Sequence, residues 1–543
     1  MLCRSAALAL VLSSPLLPAQ THSAILSSEA PGHLVVVYRN GQLPANSDAL
    51  IASTGASPVL HLSRFGLATL RTTSANEATV TTTLLRHPEV AAVLHDRYVT
   101  AHLLLSPIRT PAFNLPTPTL PSATPDVISQ PNGLNLPRLT SPTIFIKPDA
   151  PSTDTLYNSP AGWAVIAAGG YGARIPGGPA IGPWNTSLGA GVRIAVIDSG
   201  VDPNHPDISP NLVLNLSEVD QSASTGEPSP CDNGSPADQQ GHGTFVASLA
   251  LGAIQGGNTI GVAPQASLLN IKVLERLPAA AGTSLISQCE NGQASGLLSW
   301  VLKGIQDAVA NHADIIALSL GSIVDLSTGD GAGWKAQFDA VTYAAQQSGS
   351  TLIAAAGNDG LDLSNGRFIE LPAQARGVLA VTAATNPACA ENLTAGATCT
   401  PGPITRPYYS NHGATLNAIS APGGNYPQGP GDPTSPTNTA ISGFITGACS
   451  TGLPNTTDGL PSNPNQSFGC FNQGHAAYTQ AMGTSASAAL VAGAAALLHA
   501  ANPTLTPAQI IQTLRTSATP TTTTDPQLNL PAALTGTPSP HAH

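Results

Sequence analysis

Gln480-Ala481-Met482-Gly483-Thr484-Ser485-Ala486-Ser487 runs without a break into Ala488-Ala489-Leu490-Val491-Ala492-Gly493-Ala494-Ala495-Ala496-Leu497-Leu498. A serine among small polar residues opens a run of small apolar residues of helical length. Glycine ahead of the helix permits a tight turn and a close backbone approach. Ser485 then falls at a helix N-terminus, where unpaired N–H groups and the helix dipole favour developing negative charge. That place suits a nucleophilic hydroxyl. Alone, the pattern also fits an ordinary helix cap, so its meaning depends on the stretches upstream.

Composition narrows the class. A chain of 543 residues exceeds one compact core, and two or more units are expected. Charged residues make up 9% and hydrophobic ones 42%, with 52 Gly and 49 Pro, which fits a turn-rich globular enzyme and not a charge-driven disordered chain. A net charge of −11 argues against nucleic acid as a partner. Arg4, the apolar run Ala6 to Leu12, and Pro15 to Ala19 read as a signal peptide over 1–19. No later apolar run reaches the roughly 18 residues that span a bilayer, so a secreted protein without a membrane span is expected. Six cysteines remain after Cys3: Cys231, Cys289, Cys389, Cys399, Cys449 and Cys470. An even number in an exported chain suggests disulfides. Short-loop closure suggests Cys389–Cys399 and Cys449–Cys470, leaving Cys231–Cys289. Zinc is the competing reading, and no C-x-x-C spacing supports it.

Periodicity divides the rest. Leu34 to Tyr38, Val59 to Leu62, Leu67 to Arg71 and Val90 to Leu94 read as strands, and Asp48 to Ser53 and Ala75 to Arg86 as helices. The order β-α-β-β-α-β predicts a small α+β, ferredoxin-like unit over 24–102. Prolines punctuate 103–155 and predict an extended linker. From there to 535 short apolar strands alternate with helices. The strands are Val192 to Ile197, Ser267 to Val273, Ile315 to Leu320, Thr351 to Ala356, Val378 to Thr382 and Leu416 to Ser420. The helices are His242 to Leu251, Ala294 to Asn311, Trp334 to Gln347, Ser485 to Ala500 and Thr506 to Leu514. This alternation predicts an α/β fold, a mostly parallel sheet flanked by helices, with its site at the C-terminal ends of the strands. Residues 536–543 read as a disordered tail.

Three stretches bear on that site. Arg193 to Asp198 is an apolar strand that ends in a carboxylate able to fix an imidazole's tautomer. Gly241-His242-Gly243-Thr244 sets a histidine between glycines at a helix start, where it can take and return a proton. Leu352 to Gly357 is a strand that delivers Asn358, whose amide is a neutral donor suited to an oxyanion. Each has a structural alternative: a turn cap, a surface histidine, a turn asparagine. All of them together, with Ser485, in this order and on these elements, point to one chemistry.

These motifs resemble those of the subtilisin-like serine proteases, the subtilases. Ile197-Asp198-Ser199-Gly200-Val201, Gly241-His242-Gly243-Thr244, Ala355-Ala356-Gly357-Asn358 and Gly483-Thr484-Ser485 carry the resemblance, and subtilisin has the same chain order Asp, His, Ser. The resemblance covers roughly 185–533. It implies Ser485 as nucleophile, His242 as general base and acid, Asp198 as its orienting partner, and Asn358 with the Ser485 N–H as oxyanion hole. It implies substrate binding by Ser319, Leu320, Gly321, Ala355, Ala356 and Gly357, with substrate backbone added as a strand. Leu85-Arg86-His87-Pro88-Glu89-Val90 resembles part of a subtilase propeptide. The implied protein is therefore a monomeric, self-processing endopeptidase acting on protein substrates, with its own propeptide as intramolecular inhibitor. The chemistry needs no cofactor or metal; structural calcium is common in the family, but no acidic cluster locates it. Phe245 and Ala489 depart from the usual histidine and proline. Two alternatives remain: a sedolisin-type acid protease, against which Gly241-His242-Gly243-Thr244 argues, and a non-catalytic binding protein on a protease fold.

Overall fold

The computed structural model describes residues 29–101, 104–105, 154–157, 160–174, 180–219, 228–254, 256–279, 282, 284–385, 404–425, 443–452, 469–522 and 524–536. The signal-peptide region, Cys389, Cys399, most of the Pro-rich stretch and nearly all of the tail lie outside the described residues.

The N-terminal unit comprises β1 (Glu29–Tyr38), α1 (Ser47–Ser53), β2 (Ser57–Leu62), β3 (Leu67–Arg71), α2 (Glu77–Leu85) and β4 (Val90–Ala101). Its strands pair antiparallel in the order β4-β1-β3-β2. The alternation along β1 explains how both faces are covered. Leu34 and Val36 pack with Leu50, Ile51, Val80 and Leu84 of the unit's own helices. Val35 faces the other way, into a core shared with residues of the larger unit.

After β5 (Leu104–Leu105), a short helix over Trp163–Ala167 and a small strand pair, the main elements of the larger unit are β6 (Arg193–Asp198), β7 (Leu212–Ser217), α3 (His242–Leu251), β8 (Ser267–Lys272), β9 (Leu274–Leu277) and β10 (Gln293–Leu297). It continues through α4 (Leu298–Ala310), β11 (Ile315–Leu318), β12 (Leu320–Asp325), α5 (Gly329–Gln347), β13 (Thr351–Ala355), β14 (Phe368–Leu371), β15 (Val378–Ala384) and β16 (Ala418–Pro422). The last elements are β17 (Ile445–Ala448), β18 (Tyr478–Met482), α6 (Thr484–Ala501), α7 (Pro507–Ser517) and α8 (Leu530–Thr535). Seven strands form an all-parallel sheet in the order β16-β15-β13-β11-β6-β8-β7. Its central strands are apolar and almost wholly buried, as burial on both faces requires. Ile194, Val196, Ala317 and Ile353 point to one face, packed with α3 and α6. Ala195, Ile197, Ile316 and Leu352 point to the other, packed with Trp300, Ile305, Trp334 and Phe338 of α4 and α5.

Two expected elements differ. The helix expected from Ala294 starts only at Leu298, because the residues before it form β10, paired with β9 and with β4 of the N-terminal unit. The strand expected over Ile315 to Leu320 divides at Ser319: β11 belongs to the parallel sheet, and β12 leaves it to pair with β4 and β14. The 18 residues of α6 are long and apolar enough to cross a membrane, with mean hydropathy 1.4, yet 83% of them are buried. A helix apolar on every side fits such a core position.

Candidate active site

β6 ends on Asp198, whose side chain is fully buried. Asp198 Oδ1 accepts from the Ser199 N–H at 2.7 Å and from His242 Nδ1 at 2.6 Å. A carboxylate can only accept here, so Nδ1 carries the proton and Nε2 of the neutral ring is an acceptor. Nε2 lies 3.0 Å from Ser485 Oγ. Ser485 Oγ is also 3.0 Å from the Ser319 carbonyl, so one hydroxyl proton has two acceptors. In return, the Ser319 hydroxyl donates to the Ser485 carbonyl at 3.0 Å. Carboxylate, imidazole and hydroxyl form one relay, suited to removing the Ser485 proton while the carboxylate stabilises the imidazolium.

Asn358 follows β13 by three residues. Its Oδ1 accepts from the Thr484 N–H and hydroxyl, each at 2.9 Å. The N–H can only donate, which fixes the amide's orientation. Nδ2 is thereby turned away; it is buried and has no partner among the described residues. An unpaired buried donor costs about 1–3 kcal/mol, and its persistence beside the relay suits an acceptor that forms only during reaction.

The histidine is held from behind by a residue that the motif reading missed. Asp238 Oδ1 accepts from the Gln240 and Gly241 N–H groups and the Ser199 hydroxyl, at 2.7 to 2.9 Å. Its Oδ2 accepts from the Thr244 N–H at 3.0 Å and hydroxyl at 2.6 Å. Burial pushes the Asp238 carboxyl above its ordinary range, and these donors pull it back. A carboxylate four residues before His242 was the available signal. Glycine is required at 243, where a Cβ would meet the Gly200 carbonyl oxygen at 2.0 Å.

Disulfides Cys231–Cys289 and Cys449–Cys470 flank this region. Among the other expected residues, Leu320 and Gly321 do accept a strand: they pair with Ala101 and Thr100 of β4. Ser295, Gly296 and Leu297 of β10 pair with the same segment. Ala355 ends β13 inside the core packed on α6, while Ala356 and Gly357 lead to Asn358. Among the described residues, one group of metal-capable side chains gathers, Glu29, His95 and Asp330. It lies on β1, β4 and α5, outside the relay.

The model of the subtilase family matches residues 189–533. The intracellular serine protease of Paenibacillus polymyxa is 34% identical over 26% of this chain and 37% of its own length. Subtilisin E of Bacillus subtilis (strain 168) is 35% identical over 32% of this chain and 35% of its own, and thermitase of Thermoactinomyces vulgaris is 32% identical over 33% and 51%. The chain thus spans about a third to a half of the length of these relatives. Among solved structures, the epidermin leader peptide processing serine protease of Staphylococcus aureus superposes with TM-score 0.59 over 92% of this chain and 97% of its own, at 18% identity. Fervidolysin of Fervidobacterium pennivorans reaches 0.55 over 95% and 63%, also at 18%. At that identity the likeness speaks for the fold. The family match extends over more than half of the chain and takes in the strand ends and helix that carry Asp198, His242, Asn358 and Ser485; the chain belongs to the subtilase family.

Proposed function

We propose that this protein is a secreted serine endopeptidase that hydrolyses peptide bonds through Asp198, His242 and Ser485. The observation that carries the reading is the buried relay from Asp198 Oδ1 through His242 to Ser485 Oγ, beside the unpartnered Asn358 Nδ2. Ser485 Oγ attacks the substrate carbonyl while His242 Nε2 takes its proton. The oxygen that gains charge is held by Asn358 Nδ2 and the Ser485 N–H at the start of α6. His242 then returns the proton to the leaving amine, and an acyl group stays on Ser485. Water, deprotonated by His242, releases it. Ser319 to Gly321 bind substrate as an added strand, with Ala355 to Gly357 on the opposite wall.

The N-terminal unit is the inhibitory propeptide in this reading. Thr100 and Ala101 occupy the strand edge of Gly321 and Leu320, and Leu104–Leu105 pairs with Met482 and Ala481, just before Ser485. In this reading self-processing falls in the sequence that joins these two paired segments, at the head of the Pro-rich linker. Export rests on the Arg4 and Ala6 to Leu12 pattern. Labelling by a fluorophosphonate probe, lost in Ser485→Ala, tests the nucleophile. N-terminal sequencing of processed material tests the rest: a start beyond residue 110 or an active enzyme that starts near Gln20 contradicts it.

A further inference from the structure

β5 pairs antiparallel with β18, Leu104 against Met482 and Leu105 against Ala481. β17 takes the other edge of β18, with Ile445 against Ala481 and Thr446 against Gln480. β5 thus completes a three-stranded sheet whose central strand ends at Met482, three residues before Ser485. The pairing of Thr100 and Ala101 with Gly321 and Leu320 belongs instead to β4 and the N-terminal unit. Only His102 and Leu103 separate the two paired segments in the sequence.

A cut in the sequence that joins them has unequal consequences. Thr100 and Ala101 leave with the N-terminal unit. Leu104 and Leu105 remain covalently part of the larger unit, at the free end of a tail whose other end is anchored. Asp154 is fully buried. The Leu156 and Tyr157 N–H groups donate to the Asn258 carbonyl, both at 3.0 Å, and the Thr155 hydroxyl donates to Asn258 Oδ1 at 2.7 Å. Tyr157 stacks on Trp184 with ring centroids 5.5 Å apart. A strand tethered in this way competes at an effective concentration of about a millimolar, and the edge of β18 that it leaves is a ready template for pairing. Two residues of pairing make few hydrogen bonds, so a substrate can displace the strand.

We propose that the processed enzyme keeps β5 as a second autoinhibitory strand, held where the leaving side of a substrate has to pair. This rests on the protease reading. With its scissile carbonyl at Ser485 Oγ, a substrate lays its acyl side along Ser319 to Gly321, and its leaving side passes the residues just before Ser485, the edge that β5 holds. Substrate residues beyond the cut bond must displace Leu104 and Leu105. Residues before it enter a groove that the departed N-terminal unit has vacated. The restraint is therefore selective: it falls on peptides and proteins that continue past the cut bond, and spares acyl donors that end there.

The test inserts Asp-Asp-Asp-Asp-Lys after Ile128 of the full chain, so that a site-specific protease can remove the tail from the processed enzyme. Intact mass identifies the tail-bearing and tail-free forms, and rates are expressed per Ser485 labelled by the fluorophosphonate probe. Two substrates share the residues before the bond: a quenched peptide that continues past it and a p-nitroanilide that ends there. Tail removal is expected to raise kcat/KM on the order of tenfold for the peptide and to leave the p-nitroanilide within about twofold. Leu105→Pro, which takes an N–H from β5, is expected to give the tail-bearing enzyme nearly the tail-free rate on the peptide. Equal peptide rates before and after removal overturn the proposal, and so does an equal gain with both substrates. No gain from Leu105→Pro places the restraint outside β5 and overturns it too. A tail-bearing form that is lost as fast as it appears also overturns it, while labelled Ser485 still upholds the protease reading. If neither substrate is cut and Ser485 stays unlabelled in both forms, the protease reading itself fails, and the proposal with it.

Discussion

Two regions meet at His242 and are built by opposite means. On the sheet side, Asp198 and Asn358 are delivered by apolar strands, and Ser485 by a helix of alanines, all close-packed. On the far side, His242 is braced by buried charge. Lys272 donates to Asp232 at 2.9 Å and to the Ser199 and Ala237 carbonyls. Arg276, fully buried, donates to the carbonyls of Cys289 at 2.6 Å, Gln239 at 2.7 Å, Glu290 at 2.9 Å and Phe471. One guanidinium thereby ties both disulfide loops to the turn that carries His242. Cys449 Sγ presses on that turn as well, 2.8 Å from where a Cβ on Gly241 would lie. Packing positions the nucleophile and oxyanion donor; a satisfied polar network positions the base. Such a network fails sharply when one member is removed, whereas packing tolerates small changes.

The largest expected effect breaks this contrast or confirms it. Arg276→Ala leaves buried carbonyls and the Asp232 and Asp238 carboxylates undercompensated, and should destabilise by about 3–5 kcal/mol in urea unfolding. Ile197→Val on the sheet side should cost only about 0.5–1.5 kcal/mol. Equal costs would erase the distinction. Next, Asn358→Ala should reduce turnover on the order of 10²–10³-fold, the loss that follows removal of such a donor in subtilisin. Stability should fall by only about 1–3 kcal/mol, because Nδ2 has no partner to lose but the Thr484 N–H and hydroxyl lose Oδ1 as acceptor. A large fall in melting temperature would place Asn358 with the bracing network instead.

The smallest effect concerns a buried carboxylate of β4. Asp96 accepts from the Arg97 and Ser299 N–H groups at 2.9 and 3.4 Å, across the boundary between the units. Burial raises its pKa to about 6, opposed by hydrogen bonds from Ser299. The assembled chain therefore favours the protonated form over the 3.8 of a free carboxyl. That contribution is complete below about pH 4 and is lost as pH rises through about 6, at most about 3 kcal/mol. Thermal unfolding of a Ser485→Ala precursor should show a pH slope over this window that Asp96→Asn flattens. An unchanged slope in the variant would assign the dependence to other groups.

How much of this was legible follows from the range of each interaction. The N-terminal strands and helices show in their own periodicity, and α3 has the bounds its sequence announces, His242–Leu251. Asp198, His242, Asn358 and Ser485 sit in local motifs, so their residue types and neighbours betray them. The strand character of Ala294 to Leu297 does not show, because its partner is Tyr98 to Thr100, far away in the chain. β4 likewise outruns the expected Val90 to Leu94, since its second half is held by β10 and β12. Arg276 and Lys272 look like ordinary surface charges until the fold buries them against distant carbonyls and, for Lys272, the Asp232 carboxylate.

The most direct test of the central claim is hydrolysis of casein by the processed protein, set beside Ser485→Ala and read together with fluorophosphonate labelling. The account predicts that casein is cut and Ser485 labelled in the unaltered protein, and that both are lost in the variant. Equal hydrolysis by the two, or an unlabelled Ser485 in processed protein, would contradict it.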